Sequence, residues 1–191
     1  MTIPRAARVA VALPFLFACL AMADDRTFLA LGDSYTIGEG VDPAGRWTHR
    51  LARLLRERGV AIGDPRTVAR TGWTCDELSA AMDGQSFEAR YDLVTLLVGV
   101  NDEFRGFDAG AFRDDMVAML RRAIGLAGGE AGHVVVLTIP DWGVTPFAER
   151  VAREPSAIAD GIERFNRVVR EEVARAGARL VDVTPARRLA A

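Results

Sequence analysis

Two nearly uninterrupted apolar runs constrain this chain most: Leu93 to Val100 within "YDLVTLLVGVND" and Val134 to Ile139 within "HVVVLTIPD". A strand with one face in water alternates apolar and polar residues, so a continuous run marks a strand covered on both faces. Each run leads into a helical pattern: "DAGAFRDDMVAMLRRAIGLAGG" after the first, and "SAIADGIERFNRVVREEVARAG" after the second, with Ile158, Ile162, Phe165, Val169 and Val173 as its apolar stripe. The same alternation holds elsewhere. "TFLALGDS" reads as a first strand, and "RWTHRLARLLRERG" as a helix with Trp47, Leu51, Leu54 and Leu55 on one side, stopped at Gly59. "RTVARTG" is a short, polar strand, "TCDELSAAM" a helix capped by Thr74 with Glu77 completing a capping box, and "ARLVDVTP" a fifth strand. Strand and helix in repeated succession predict an α/β fold, a parallel sheet between helical layers. No repeat or low-complexity linker divides the 191 residues, which fit one domain.

In such sheets functional groups gather at the carboxyl ends of the strands. Ser34, Gly72, Asn101 and the Pro140-Asp141 pair each fall just past a different predicted strand. One rim is thus expected to present a hydroxyl, a backbone amide free of side-chain cover, a side-chain amide and an acid. Acyl transfer needs such a set: a serine to attack, and fixed donors around the oxyanion that forms. Glycine lets a substrate oxygen approach the backbone, and asparagine donates without titrating. Singly, each residue has a plainer reading: Gly-Asp-Ser and Gly72 as turns, Asn101-Asp102 as a helix-capping loop. Asp33 is assigned no chemistry. Their order along the chain, each after its own strand, favours function.

Charge and composition close off several classes. The formal net charge of -2 gives no reason to expect nucleic acid as a partner. All 24 basic residues are arginine, which excludes a Schiff-base lysine, a P-loop lysine and a Ser-Lys dyad. At the N-terminus Arg5 and Arg8 precede an apolar run from Val9 to about Met22, and Ala21-Met22-Ala23 has the small-x-small form of a cleavage site. Residues 1–23 are therefore expected to be a secretory signal peptide cut after Ala23, leaving residues 24–191 secreted or periplasmic with no stable membrane span. A membrane anchor is the alternative, but the run is shorter than the roughly 20 apolar residues that span a bilayer. A lipoprotein reading through Cys19 is weaker, since apolar residues continue past it. After cleavage Cys75 would be the one cysteine, a buried small residue, with no internal disulfide.

The blocks "GDSY" (32–35), "ARTGWT" (69–74) and "LLVGVNDEFRG" (96–106) resemble the first three conserved blocks of the SGNH hydrolases, the GDSL esterase/lipase family. The resemblance extends from about Thr27 to Asp182, and "TIPDWGVTPFA" (138–148) is similar to a feature of one bacterial subgroup. Tyr35 stands where that family usually has leucine. The resemblance implies a flavodoxin-like three-layer α/β/α sandwich with five parallel strands in the order 2-1-3-4-5. It implies Ser34 as nucleophile, with Gly72 and Asn101 completing the oxyanion hole, in a hydrolase of carboxylic esters or thioesters that uses no metal or other cofactor.

One part of that family's pattern has no counterpart. Its Asp-x-x-His block follows the fifth strand, whereas here Asp182 is followed three residues later by Pro185. Of the two histidines, His49 lies within the first long helix and His133 begins a strand, at the rim opposite Ser34. The helix that normally covers the fifth strand is also expected to be missing, leaving apolar surface exposed. These departures suggest a truncated gene, a frameshift or an incomplete gene model, and a chain that is slow or inactive as written. The leading expectation is a serine esterase with a small-molecule ester as its partner. A binding-only relative that kept the pocket is the second reading, and a flavin or nucleotide binder, lacking any dinucleotide fingerprint, the third. Trp73, Phe104, Phe107, Trp142 and Phe147 are candidates to line an acyl or aromatic pocket. Acetylated sugar, lysophospholipid, short acyl ester and thioester stay open as substrates, as does the oligomeric state.

Overall fold

The structure is a computed structural model that describes residues 25–184; the leader expected at residues 1–23 and the segment after Thr184 lie outside the described residues. Five strands form one parallel sheet: β1 (Phe28–Gly32), β2 (Arg66–Ala69), β3 (Leu93–Leu97), β4 (Val134–Leu137) and β5 (Arg179–Val181). Their order is β2-β1-β3-β4-β5, as the resemblance to the SGNH hydrolases implies. Leu31 is in register with Val68 of β2 on one side and Leu96 of β3 on the other.

Successive side chains of β1 point to opposite faces, and each face has its own core. Phe28 and Ala30 pack with Ala52 and Ile62 beneath α2 (Trp47–Glu57), while Leu29 and Leu31 join the larger core under α3 (Cys75–Asp83), α5 (Ala109–Leu126) and α6 (Pro155–Ala176). All five residues of the predicted α6 stripe are buried in that core. The α2 stripe is narrower than its sequence suggested. Leu51 and Leu55 pack against the core, whereas Leu54 is turned to solvent and the face is completed by the small residues Thr48 and Ala52. At the far edge Leu180 and Val181 of β5 are exposed.

The helix ends follow local chemistry. Glu77 accepts the Thr74 N–H at 3.1 Å to complete the capping box of α3. Asp108 caps α5 by accepting from Gly110 N at 2.8 Å, and α6 starts with Pro155 and stops at the left-handed Gly177. Two short helices went unforeseen: α1 (Ser34–Ile37) and α4 (Val100–Phe104). Each begins within three residues of a strand end, and both lie on the carboxyl rim. A side chain at Gly32 would collide with that arrangement, because a Cβ there would lie 2.2 Å from Thr36 Oγ1 and 2.3 Å from the Leu97 carbonyl.

Candidate active site

The chain leaves β1 toward β2 on one side and reaches β3 on the other, so the loops after β1 and β3 diverge and open a crevice. A cavity of about 560 Å³ lies there, lined by Ser34, Tyr35, Glu39, Thr71, Gly72, Val100, Asn101, Phe104, Trp142, Thr145 and Phe147. The three predicted site residues, Ser34 after β1, Gly72 after β2 and Asn101 after β3, therefore share one cavity.

Ser34 is the first residue of α1, and the preceding Asp33 holds it there: the Asp33 carboxylate accepts the Tyr35 N–H at 3.0 Å. The Trp47 indole donates to the Tyr35 carbonyl at 3.0 Å, tying this turn to α2. Gly72 has φ +85°, a backbone state that L side chains rarely adopt, and its carbonyl accepts from Arg105 at 2.6 Å. Arg105 in turn pairs with Glu77 at 3.0 Å, so the loop after β2 is braced against the end of α4 and the start of α3. Asn101 donates one amide hydrogen to the Trp73 carbonyl at 2.8 Å, which fixes the plane of its side chain. Its second amide hydrogen has no partner among the described residues.

Beneath these groups lie two buried acids. Burial, with a smaller push from Asp102, raises the Asp33 carboxyl to about 7, and one of its oxygens has no hydrogen-bond partner. Asp102, behind Asn101, is raised to about 6, again chiefly by burial, although it accepts the Cys75 N–H at 3.2 Å. Cys75 is fully buried and its thiol is pushed well up by desolvation, which keeps it an inert core residue as expected.

Several expectations need correction. Asp141 follows β4 as foreseen, but its carboxylate is buried and accepts the Gly143 N–H at 2.9 Å, capping a turn rather than facing the cavity. Phe104, Trp142 and Phe147 line the cavity; Trp73 and Phe107 line other hollows instead. Sequence reasoning passed over Glu39 and Thr71, two lining residues joined by a 2.8 Å hydrogen bond. Their closeness in sequence to Ser34 and Gly72 was the available signal.

Neither histidine lines the cavity. His49 is half-buried in α2, 3.4 Å from the Thr48 hydroxyl, and His133 precedes β4 at the opposite rim. Asp182 is fully engaged: it accepts from Thr138 Oγ1 and Thr184 N at 3.0 Å each and pairs with Arg170 at 3.1 Å, which hold its carboxyl below the usual range. Among the described residues no group of three or more potential ligands is placed to hold a metal ion, and no helix is long and apolar enough to cross a membrane.

Solved structures with the same architecture include AlinE4, described as an SGNH-hydrolase family esterase, at 20% identity over 84% of this chain and 77% of that one, with a TM-score of 0.63. The lipase/acylhydrolase from Enterococcus faecalis is 20% identical over 86% and 79% of the two chains, with a TM-score of 0.66. TesA is 21% identical over 81% and 77%, with a TM-score of 0.61. Likeness at this identity speaks for the fold alone, and no curated protein matches the chain in sequence. The sequence itself carries the assignment further, since the model of the GDSL-like Lipase/Acylhydrolase family matches residues 30–191, taking in the end of β1, the other four strands and every residue that lines the cavity. The chain belongs to that family, the SGNH hydrolases.

Proposed function

We propose that this hydrolase cleaves carboxylic esters through an acyl-enzyme on Ser34. Attack by Ser34 Oγ on the ester carbonyl turns the carbonyl oxygen into an oxyanion, which the Ser34 N–H, the Gly72 N–H and the uncommitted Asn101 amide hydrogen stabilise. The bond from the acyl carbon to the alkoxy oxygen then breaks, the alcohol leaving with the proton that Ser34 gave up, and water adds to the acyl-serine to release the acid and return a proton to Ser34 Oγ. One observation carries the reading: three residues from three adjacent strand ends line a single cavity. The leader-like residues 1–23 extend it to an exported enzyme, which N-terminal sequencing of the exported protein checks by a start at Asp24.

The position of the two histidines favours a second reading, a domain that binds esters without turning them over. No imidazole of this sequence reaches the cavity to take the Ser34 proton. Hydrolysis of p-nitrophenyl acetate by the chain and by Ser34→Ala, each with and without added imidazole, separates the two. The esterase reading expects hydrolysis that depends on Ser34 and rises with imidazole, because a general base is worth roughly 10²–10⁴-fold. Equal rates for the chain and for Ser34→Ala under both conditions would leave the binding-only reading.

A further inference from the structure

The five residues of α4 carry two groups with opposite surroundings. Asn101 faces the cavity, while Glu103, two residues on, is turned inward and is 4% exposed. A buried carboxylate is costly unless it is paired and fully hydrogen-bonded. Glu103 meets that condition through two residues far away in the chain. One carboxylate oxygen accepts the Trp142 indole N–H at 3.1 Å, and the other forms an ion pair with Arg153. The Arg153 guanidinium also sits over the indole, 5.3 Å from its ring centroid. Helix α6 leaves room for this cluster, since a Cβ on Gly161 would lie 2.2 Å from Glu103 Oε1.

Trp142 needs such a hold. It sits in a single 3-10 turn (Trp142–Val144) in the long connection between β4 and α6, where no sheet or helix ladder fixes it. Its ring is one of three that form the apolar wall of the cavity: Phe104 lies 5.5 Å from Trp142, and Phe147 lies 5.9 Å from each. Phe104 and Phe147 are 42% and 50% exposed, so the wall is open to a ligand rather than closed over. The same cavity lining includes the Glu39 carboxylate.

We propose that Glu103 is a positioning residue for specificity: by fixing the Trp142 indole it holds the three-ring wall that selects neutral esters bearing a flat, aryl group. The exposed faces of Phe104 and Phe147, backed by the buried Trp142 indole, accept a ring by stacking and edge contacts, which a short aliphatic group cannot match. The Glu39 carboxylate in the same lining turns away anionic esters. The bond from Glu103 also ties the wall to the helix that presents Asn101, so the aryl group and the reacting carbonyl are located by one rigid unit.

The proposal rests on the esterase reading for its reaction but not for its binding step, and the test keeps them apart. In the 191-residue chain carrying Ser34→Ala, which cannot form an adduct, isothermal titration compares 4-phenyl-2-butanone with 2-butanone. The aryl ketone is expected to bind at least tenfold more tightly. Adding Glu103→Leu, of similar volume but with no acceptor, should reduce that preference below threefold, and Glu103→Gln, which still accepts the indole N–H, should restore it. If the leucine variant does not fold, Trp142→Phe removes the same hydrogen bond from the donor side and should show the same loss. Equal binding of the two ketones, a preference untouched by the leucine variant, or an equal loss in the glutamine variant overturns the proposal. Hydrolysis of ethyl phenylacetate and ethyl acetate by the chain with Ser34 intact then reads the reaction separately. An aryl preference in binding with no Ser34-dependent hydrolysis of either ester sinks the esterase reading and leaves the role of Glu103 standing.

Discussion

Asn101 has only two amide hydrogens, and one is already committed to the Trp73 carbonyl. Its replacement therefore removes both a cavity donor and the brace that aims it. Asn101→Ala should lower kcat by about 10²–10³-fold, the usual cost of one oxyanion donor, with a much smaller change in KM, measured on p-nitrophenyl acetate. Asp33 makes a different prediction. Its folded value of about 7 lies above the roughly 3.9 of an unfolded aspartate. The folded chain thus holds a proton that the unfolded chain gives up, and stability falls as pH rises from about 4 to about 7. Asp33→Asn, which keeps the cap on Tyr35 but cannot ionise, should make that decline shallower and leave the part due to Asp102, as read from melting temperatures at pH 4, 5.5 and 7. The same residues show what the sequence made legible. Ser34 and Asn101 stood out because each followed a strand whose apolar run was plain, and Gly72, after a short polar strand, through its order between them. Glu103 did not, since an acid between Asp102 and Phe104 reads as surface and its partners lie in a loop with no periodicity of its own.

Helices and strands were legible where they were long. The periodic stripe of α6 and the continuous run of β3 announced themselves, as did the capping box at Thr74. Helix α4 did not, because five residues span little more than one turn and leave no period to detect. Nor did the device that joins α6 to the end of β4. The buried Asn166 side chain accepts the Ile139 N–H at 2.7 Å and donates to the Ile139 carbonyl at 2.9 Å, treating that residue as a strand neighbour would. Sequence alone places Asn166 as a polar interruption of the stripe. Asn166→Ala would leave both backbone groups of Ile139 buried and unpaired, at about 1–3 kcal/mol each. A drop in the urea midpoint with an unchanged slope is the expected result.

Across the whole molecule, order 2-1-3 is what turns distant segments into one site. The alternation of strand and helix made the layered architecture readable, whereas the corrections at Asp141 and Leu54 arose from side-chain direction, which pattern does not encode. The sheet also distributes the site unequally. β1 and β3 are interior strands, but β2, which delivers Gly72, is a four-residue edge strand that pairs on one side only among the described residues. Edge pairings of this kind open more readily than the centre of a sheet, without the whole chain unfolding. The donor set is therefore only as durable as its least protected strand. In mild urea ligand affinity should fade while circular dichroism still reports a folded sheet, and the amides of β2 should exchange with deuterium well before those of β3. A molecule built this way loses its grip on a ligand before it loses its shape, and a stability measurement on the core alone would overstate the conditions under which it works.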